Sequence, residues 1–169
     1  MKPHWLYKLP ALLRPGLVRL GFNWHPAFRG TGGRMVHVSR DLRHLRVRLP
    51  HSWRTRNIVG STFGGSLFAI TDGPHPLMLM AALGTDYIVW DKSANIRYRK
   101  PGFGTLFADF LLGEVELEAI RRQLKHHPEL EHTFRIELKD RQGTVHTEVE
   151  RTVYICHKSH YREKLERRG

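Results

Sequence analysis

The feature that most constrains this chain is one apolar, helix-compatible segment, residues 66–83, set between stretches of regular strand alternation. Residues 45–49 alternate apolar side chains with arginines, and most of residues 87–155 show the same period of two. Such a period indicates strands with one apolar face and one solvated face. One buried helix among several strands of this kind predicts an α+β fold in which a curved antiparallel sheet wraps around the helix.

The predicted order of elements is a helix, a strand hairpin, the buried helix, and four strands with one inserted helix at residues 114–125. Asp72-Gly73-Pro74 interrupts the buried helix, and it predicts two helical pieces because proline fits the first turn of a new helix. We expect one domain over residues 1–169. It comprises an N-terminal helical extension at 1–28, a core at 34–156 and a basic tail at 157–169.

Composition bears on the cellular compartment and on the presence of metal sites and membrane segments. Cys156 is the only cysteine among 169 residues, so no intrachain disulfide can form, and a cytoplasmic location is expected. The twelve histidines are scattered, and we expect no metal site. The apolar stretch at residues 5–20 is broken by prolines and basic residues, so we expect neither a signal peptide nor a membrane span. Peripheral docking of this stretch on a membrane is the less favoured interpretation.

The most informative motif is Asn57-x-x-Gly60-x-x-Phe63-Gly64-Gly65, followed by Asp72. Two glycines at the start of a buried helix let a ligand approach the backbone. Their amides, at the positive end of the helix dipole, suit an oxyanion. Asp72 lies seven residues beyond Gly65, about two helical turns along the same side.

This motif resembles the signature of hotdog-fold acyl-CoA thioesterases of the phenylacetate-degradation and 4-hydroxybenzoyl-CoA type, in an uncharacterised branch. The resemblance implies that the Gly65 amide polarises the thioester carbonyl, that Asp72 is the nucleophile or general base, and that Asn57 orients water or the thioester. Phe63, Gly64 and Ser66 would line the substrate pocket. Phe63 stands where that family usually carries histidine.

Two charged features leave alternatives open. Alternation places Lys92 on the apolar face of its strand, where a buried ammonium needs an anionic partner. Asp72 is the predicted partner, and a bulge that releases Lys92 to water is the alternative. Asp72 itself could instead cap the second helical piece. Arg151 lies on the apolar face of the last strand, where it predicts a bulge or an interface.

The resemblance implies hydrolysis of an acyl-CoA or acyl-carrier-protein thioester, in a pocket between the protomers of a homodimer or homotetramer. The net charge of +12 suits the phosphates of coenzyme A, with Arg97, Arg99 and Lys100 as predicted contacts. No cofactor is expected beyond the coenzyme A moiety of the substrate. The alternatives are a non-catalytic acyl-binding module and a nucleic-acid binder. We expect no nucleic-acid partner because no recognition motif is present.

Overall fold

The computed structural model of the chain describes residues 10 and 12–167. The helices are α1 (Arg14–Trp24), α2 (Pro26–Gly30), α3 (Gly64–Ala69), α4 (Pro74–Leu83), α5 (Glu114–His126) and α6 (Lys158–Glu166). The strands are β1 (Arg34–Val38), β2 (His44–Leu49), β3 (Tyr87–Tyr98), β4 (Leu106–Leu111), β5 (Glu129–Lys139) and β6 (Val145–His157). This order contains the predicted elements in the predicted sequence, and it adds the short helix α2 and the C-terminal helix α6.

The six strands form one antiparallel sheet in the order β1-β2-β4-β5-β6-β3. Leu45, Val47 and Leu49 of β2 are fully buried, as the alternation predicts, and Ile70 and Leu79 from the central helical segment join the same core. The fold is therefore the expected α+β hotdog, in which the central helix is packed against a single sheet.

The central helix is broken at the predicted place. α3 ends at Ala69, and α4 begins at Pro74 after Gly73, which has a left-handed φ of 92°. Glycine adopts this conformation without the steric cost that a side chain would add. The break exposes Asp72 between two buried helical pieces.

Strand β3 differs from the prediction because of a bulge. Its register against β6 shifts between Asp91 and Ser93, so that Asp91 lies opposite the buried Val153 and Lys92 is unpaired. Lys92 therefore points to the outer face, where it forms an ion pair with Glu131. The predicted Lys92–Asp72 pair is wrong, and the alternative of a bulge is right.

The bulge also determines the position of Trp90. Uninterrupted alternation along β3 would place this residue on the core face, but in the structure it lies on the outer face and is partly exposed. Its indole stacks on Tyr154 and meets Tyr161 of α6 edge-on. The buried position one residue earlier is taken by Val89.

Helix α1 packs beside the β1 edge of the sheet. The Asn23 side chain donates to the Met35 carbonyl (2.9 Å) and accepts from the Met35 amide (2.8 Å), which fixes the helix to β1. The N-terminal part of the predicted extension, residues 1–9 and 11, lies outside the described residues. Within the described part of the chain, no helix has the length and apolar character needed to cross a membrane.

Candidate functional site

The start of α3 is built around the glycine pair. The Thr62 amide donates to the Gly102 carbonyl (2.8 Å), and the Phe63 amide donates to the Thr55 carbonyl (2.7 Å), which anchors the loop before the helix. A Cβ on Gly64 would lie 2.8 Å from the Tyr98 hydroxyl oxygen, so any side chain there would require the Tyr98 ring to move. Among the described residues, no acceptor bonds the Gly64 or Gly65 amide, and these donors remain available at the helix start.

The remaining members of the motif have different surroundings. Phe63 is about half exposed beside this helix start, and the Ser66 side chain is buried in its first turn. The Asn57 side chain donates to the Ser61 hydroxyl (2.9 Å) and accepts from the Val59 amide (3.1 Å). Asn57 is thus engaged in shaping its own loop.

Asp72 does not cap α4. The N-cap residue of that helix is Gly73, and no side chain bonds its first turn. The Asp72 carboxylate is instead exposed and lines a cavity. It lies seven residues after Gly65, or roughly 10 Å along a helix. A carbonyl group is much shorter than this span, so a site formed within one chain would require the Asp72 side chain to reach back toward Gly65.

A charged cluster that the sequence did not predict lies beside Asp72. Arg151 is only 4% exposed; its Nε donates to the Thr71 hydroxyl (2.9 Å), and its Nη1 lies 3.5 Å from Oδ2 of Asp91. The Gly73 amide also donates to this Asp91 oxygen, at 3.4 Å. Burial raises the pKa of Asp91 to about 6; Arg151 opposes this shift, and the neighbouring Asp72 carboxyl adds to it.

The sequence contains a signal for this cluster, but alternation assigns it to the wrong residue. Arg151 interrupts an apolar face, and Asp91 directly precedes Lys92, which alternation places on the apolar face. Without the bulge, alternation puts the anomaly at Lys92, one residue too late. Allowing one extra residue in β3 would have brought Asp91 and Arg151 onto the same inner face.

An apolar cavity of about 650 Å³ lies between α1, α2 and the central helix. This volume falls within the usual range of small-ligand pockets. The described residues that line it are mostly aliphatic and aromatic, and Asp72 is the only carboxylate among them: Leu17, Val18, Gly21, Phe22, His25, Ala27, Phe28, Thr31, Ala69, Asp72 and Leu77.

The basic residues predicted to bind phosphate lie at the end of β3 and just beyond it. Arg99 is ion-paired with Glu148 (2.7 Å). Arg97 and Lys100 are exposed, and no carboxylate among the described residues lies within ion-pairing distance of either. Tyr98, between them, contacts the start of α3, so these cations lie at the same end of the fold as the glycine pair.

Comparison with known proteins agrees with the fold. Residues 17–155 match the model of a family described as a domain of unknown function (DUF4442). No protein of curated function matches the sequence.

In the described residues, no three His, Cys, Asp or Glu side chains are grouped as metal ligands would be.

Three solved structures illustrate the likeness. A protein of unknown function from Pseudomonas aeruginosa, PA5026, named a "Probable Thioesterase", has a TM-score of 0.74 at 20% identity, over 88% of this chain and 97% of that one. Thioesterase HI1161 from Haemophilus influenzae has a TM-score of 0.59 at 14% identity, over 80% and 85%. A mutant of thioesterase PA1618 from Pseudomonas aeruginosa has a TM-score of 0.62 at 14% identity, over 83% and 93%. At these identities the likeness shows the fold.

Proposed function

The chain belongs to the family of the domain of unknown function DUF4442, and we propose that it hydrolyses acyl thioesters of coenzyme A or of an acyl carrier protein. The observation that carries this proposal is the state of Asp72, which neither caps α4 nor pairs with Lys92. An exposed carboxylate beside an apolar cavity is placed to act as nucleophile or general base. The unbonded Gly65 amide would stabilise the oxyanion that forms when the thioester carbonyl is attacked.

The distance between Gly65 and Asp72 favours a site shared by two chains. Strand β3 runs along α3, with Tyr98 beside the helix start and Asp91 beside its end. If two β3 edges pair antiparallel about a two-fold axis, the Tyr98 end of one strand lies beside the Asp91 end of the other. Gly65 of one protomer would then approach the partner subunit's Asp72.

The acyl chain and the coenzyme A part of the proposed substrate each match a different region of the protein. The apolar cavity beside Asp72 would hold the acyl chain, since its lining offers little to a polar group. Arg97 and Lys100, which lack a carboxylate partner among the described residues, would bind the phosphates of coenzyme A. The resemblance to phenylacetate-type enzymes adds aromatic acyl groups to the candidates.

The test is a hydrolysis screen of the purified protein with short, long and aromatic acyl-CoAs, followed by Asp72→Asn. We expect this substitution to lower kcat by at least about a hundredfold, because the amide is neither a base nor a nucleophile. Thermal stability should change little, since Asp72 is exposed and does not cap the helix.

Lys92→Met is the matched control. Lys92 follows Asp91 directly, but its ammonium lies half exposed on the outer face against Glu131. Its loss should leave kcat and stability close to those of the parent protein. A protein that hydrolyses no thioester, or an Asp72→Asn variant as fast as the parent, would refute the proposed activity.

A further inference from the structure

Asp91 has one oxygen that is fully engaged and one that is not. Its Oδ2 accepts from the Gly73 amide and faces the Arg151 guanidinium. Its Oδ1 is buried and, among the described residues, has no donor to accept from. The Asp72 carboxyl lies close enough to Asp91 to raise the pKa of the Asp91 carboxyl. Because two ionised carboxylates repel each other, this proximity favours a proton on one of them.

The charges around the pair also call for one proton. Among the described groups with the largest effect on the pKa of Asp91, Arg151 is the cation, and the others are the Asp72 carboxyl and the Gly73 amide. The Arg151 side chain is 4% exposed and that of Asp91 is 16% exposed. One guanidinium balances one negative charge, and a second unbalanced charge is costly in such a poorly solvated place.

The site of the proton follows from exposure. Asp91 is largely buried, which disfavours its ionised form, whereas Asp72 is exposed to solvent. A proton on Oδ1 of Asp91 would turn its unsatisfied acceptor into a donor, for which the neighbouring Asp72 carboxylate is the proposed acceptor. This arrangement satisfies the buried atom and leaves the charge at the cavity, where the proposed chemistry needs it.

Resting on the proposed function, we propose that Asp91 is a positioning residue that, in its protonated form, donates from Oδ1 to the Asp72 carboxylate and so holds it in its reactive orientation. Gly73 and Arg151 fix Asp91, which in turn fixes Asp72. When Asp91 loses its proton at higher pH, the contact becomes a repulsion between two carboxylates. The orientation of Asp72 is then lost, although its charge remains.

The first test measures the proton directly and requires no activity. A carbon-13 NMR titration of the Asp91 carboxyl should give a midpoint near 6. In Asp72→Asn this midpoint should fall by about one pH unit or more, because a neutral amide neither repels the Asp91 charge nor shares its proton. Asp86→Asn, an exposed acid just before the same strand, is the matched control and should leave the midpoint unchanged.

The second test uses the pH profile of kcat. The parent protein should lose activity as the pH rises through about 6. Asp91→Asn keeps a donor at all pH values, so it should retain kcat within a few fold, lack the fall, and exceed the parent at pH 8. Asp91→Ala, which has no donor, should lower kcat about tenfold or more at pH 5. A merely structural role for Asp91 would change stability without removing the limb of the profile.

The outcomes separate the two proposals. If the titration behaves as expected but no thioester is hydrolysed, the carboxyl pair stands and the proposed activity fails. If Asp91 titrates near the ordinary value of an aspartate, or if Asp72→Asn leaves its midpoint unchanged, the pair is refuted even in an active enzyme. Should Asp91→Ala not fold, the titrations of the parent and of Asp72→Asn still decide the question.

Discussion

His75 is a buried titratable residue in the core beneath the candidate site. Its ring stacks on Phe134, with centroids 3.8 Å apart, and meets Phe110 edge-on. Its Nδ1 is buried and has no hydrogen-bond partner among the described residues. Burial lowers the pKa of His75 to about 3, and nearby His132 and Arg151 lower it further.

This shift predicts a loss of stability in acid. Between pH 6.5 and 3 the unfolded chain binds a proton at His75 that the folded chain does not, so the free energy of unfolding falls as the pH drops through this range. At pH 4.5 the loss is about 2–3 kcal/mol. His75→Leu should remove it, as measured by urea unfolding at pH 7 and 4.5.

Interpreting this measurement requires a comparison with the parent protein at each pH and a control variant. Asp91 acts with the opposite sign, since its raised pKa favours the folded state as the pH falls from about 6. The comparison must therefore be the difference between variant and parent at each pH. The exposed His126→Leu is the control and should keep the parent's pH dependence. A His75→Leu variant with that same dependence would contradict the prediction.

At the scale of single residues, the sequence predicted only part of the candidate site. The glycine pair and Asp72 could be identified because their local spacing carries the motif. Asp91 and Arg151 could not be paired, because they are 60 positions apart and their common face depends on one extra residue at Lys92. A bulge moves every side chain before it to the opposite face, and alternation alone does not locate it.

At the scale of elements, the sequence predicted nearly everything. β2 and β4 follow strict alternation because one face is fully buried, and their central residues, such as Val47 and Ala108, have no exposed surface. α5 was predicted almost to its ends. What the sequence could not reveal is that α1 encloses a cavity against the central helix, since such packing depends on contacts between distant elements.

Helix α1 supplies the next prediction, which concerns acyl chain length. Gly21 lines the cavity, and a Cβ added there would meet no atom within 4 Å. Gly21→Phe should therefore start without a clash at Cβ, and its ring should occupy part of the cavity and obstruct long acyl chains. We expect kcat/KM to fall at least about tenfold for a long-chain acyl-CoA and to change little for acetyl-CoA.

Gly16→Phe is the matched control on the same helix. A Cβ at Gly16 also meets no atom within 4 Å, but this residue does not line the cavity. Its substitution should leave the preference for chain length unchanged. Equal losses for short and long substrates in Gly21→Phe would argue against the cavity as the acyl site.

At the scale of the whole molecule, the sheet has two very different edges. β1 is short, carries a register shift and is contacted by α1. β3 is twelve residues long, and most of its residues are exposed. An open edge of this length invites pairing with another strand. Phe63 and Phe103, near its Tyr98 end, are also largely exposed. We therefore expect light scattering to give at least twice the 19.8 kDa chain mass at micromolar concentration.

The last prediction tests whether the site is shared between protomers. Gly65→Pro removes the amide donor in the first turn of α3, where proline needs no donor but the half-exposed Phe63 ring must rotate to make room, and Asp72→Asn removes the carboxylate. Each variant alone should be nearly inactive. If subunits exchange in an equal mixture, half of the dimers are mixed. Each of these contains one site with both the native Gly65 and the partner subunit's Asp72. The mixture should therefore recover roughly a quarter of the parent activity. If Gly65 and Asp72 of the same chain formed the site, no mixed dimer would contain an intact one, and the mixture would remain as inactive as its components.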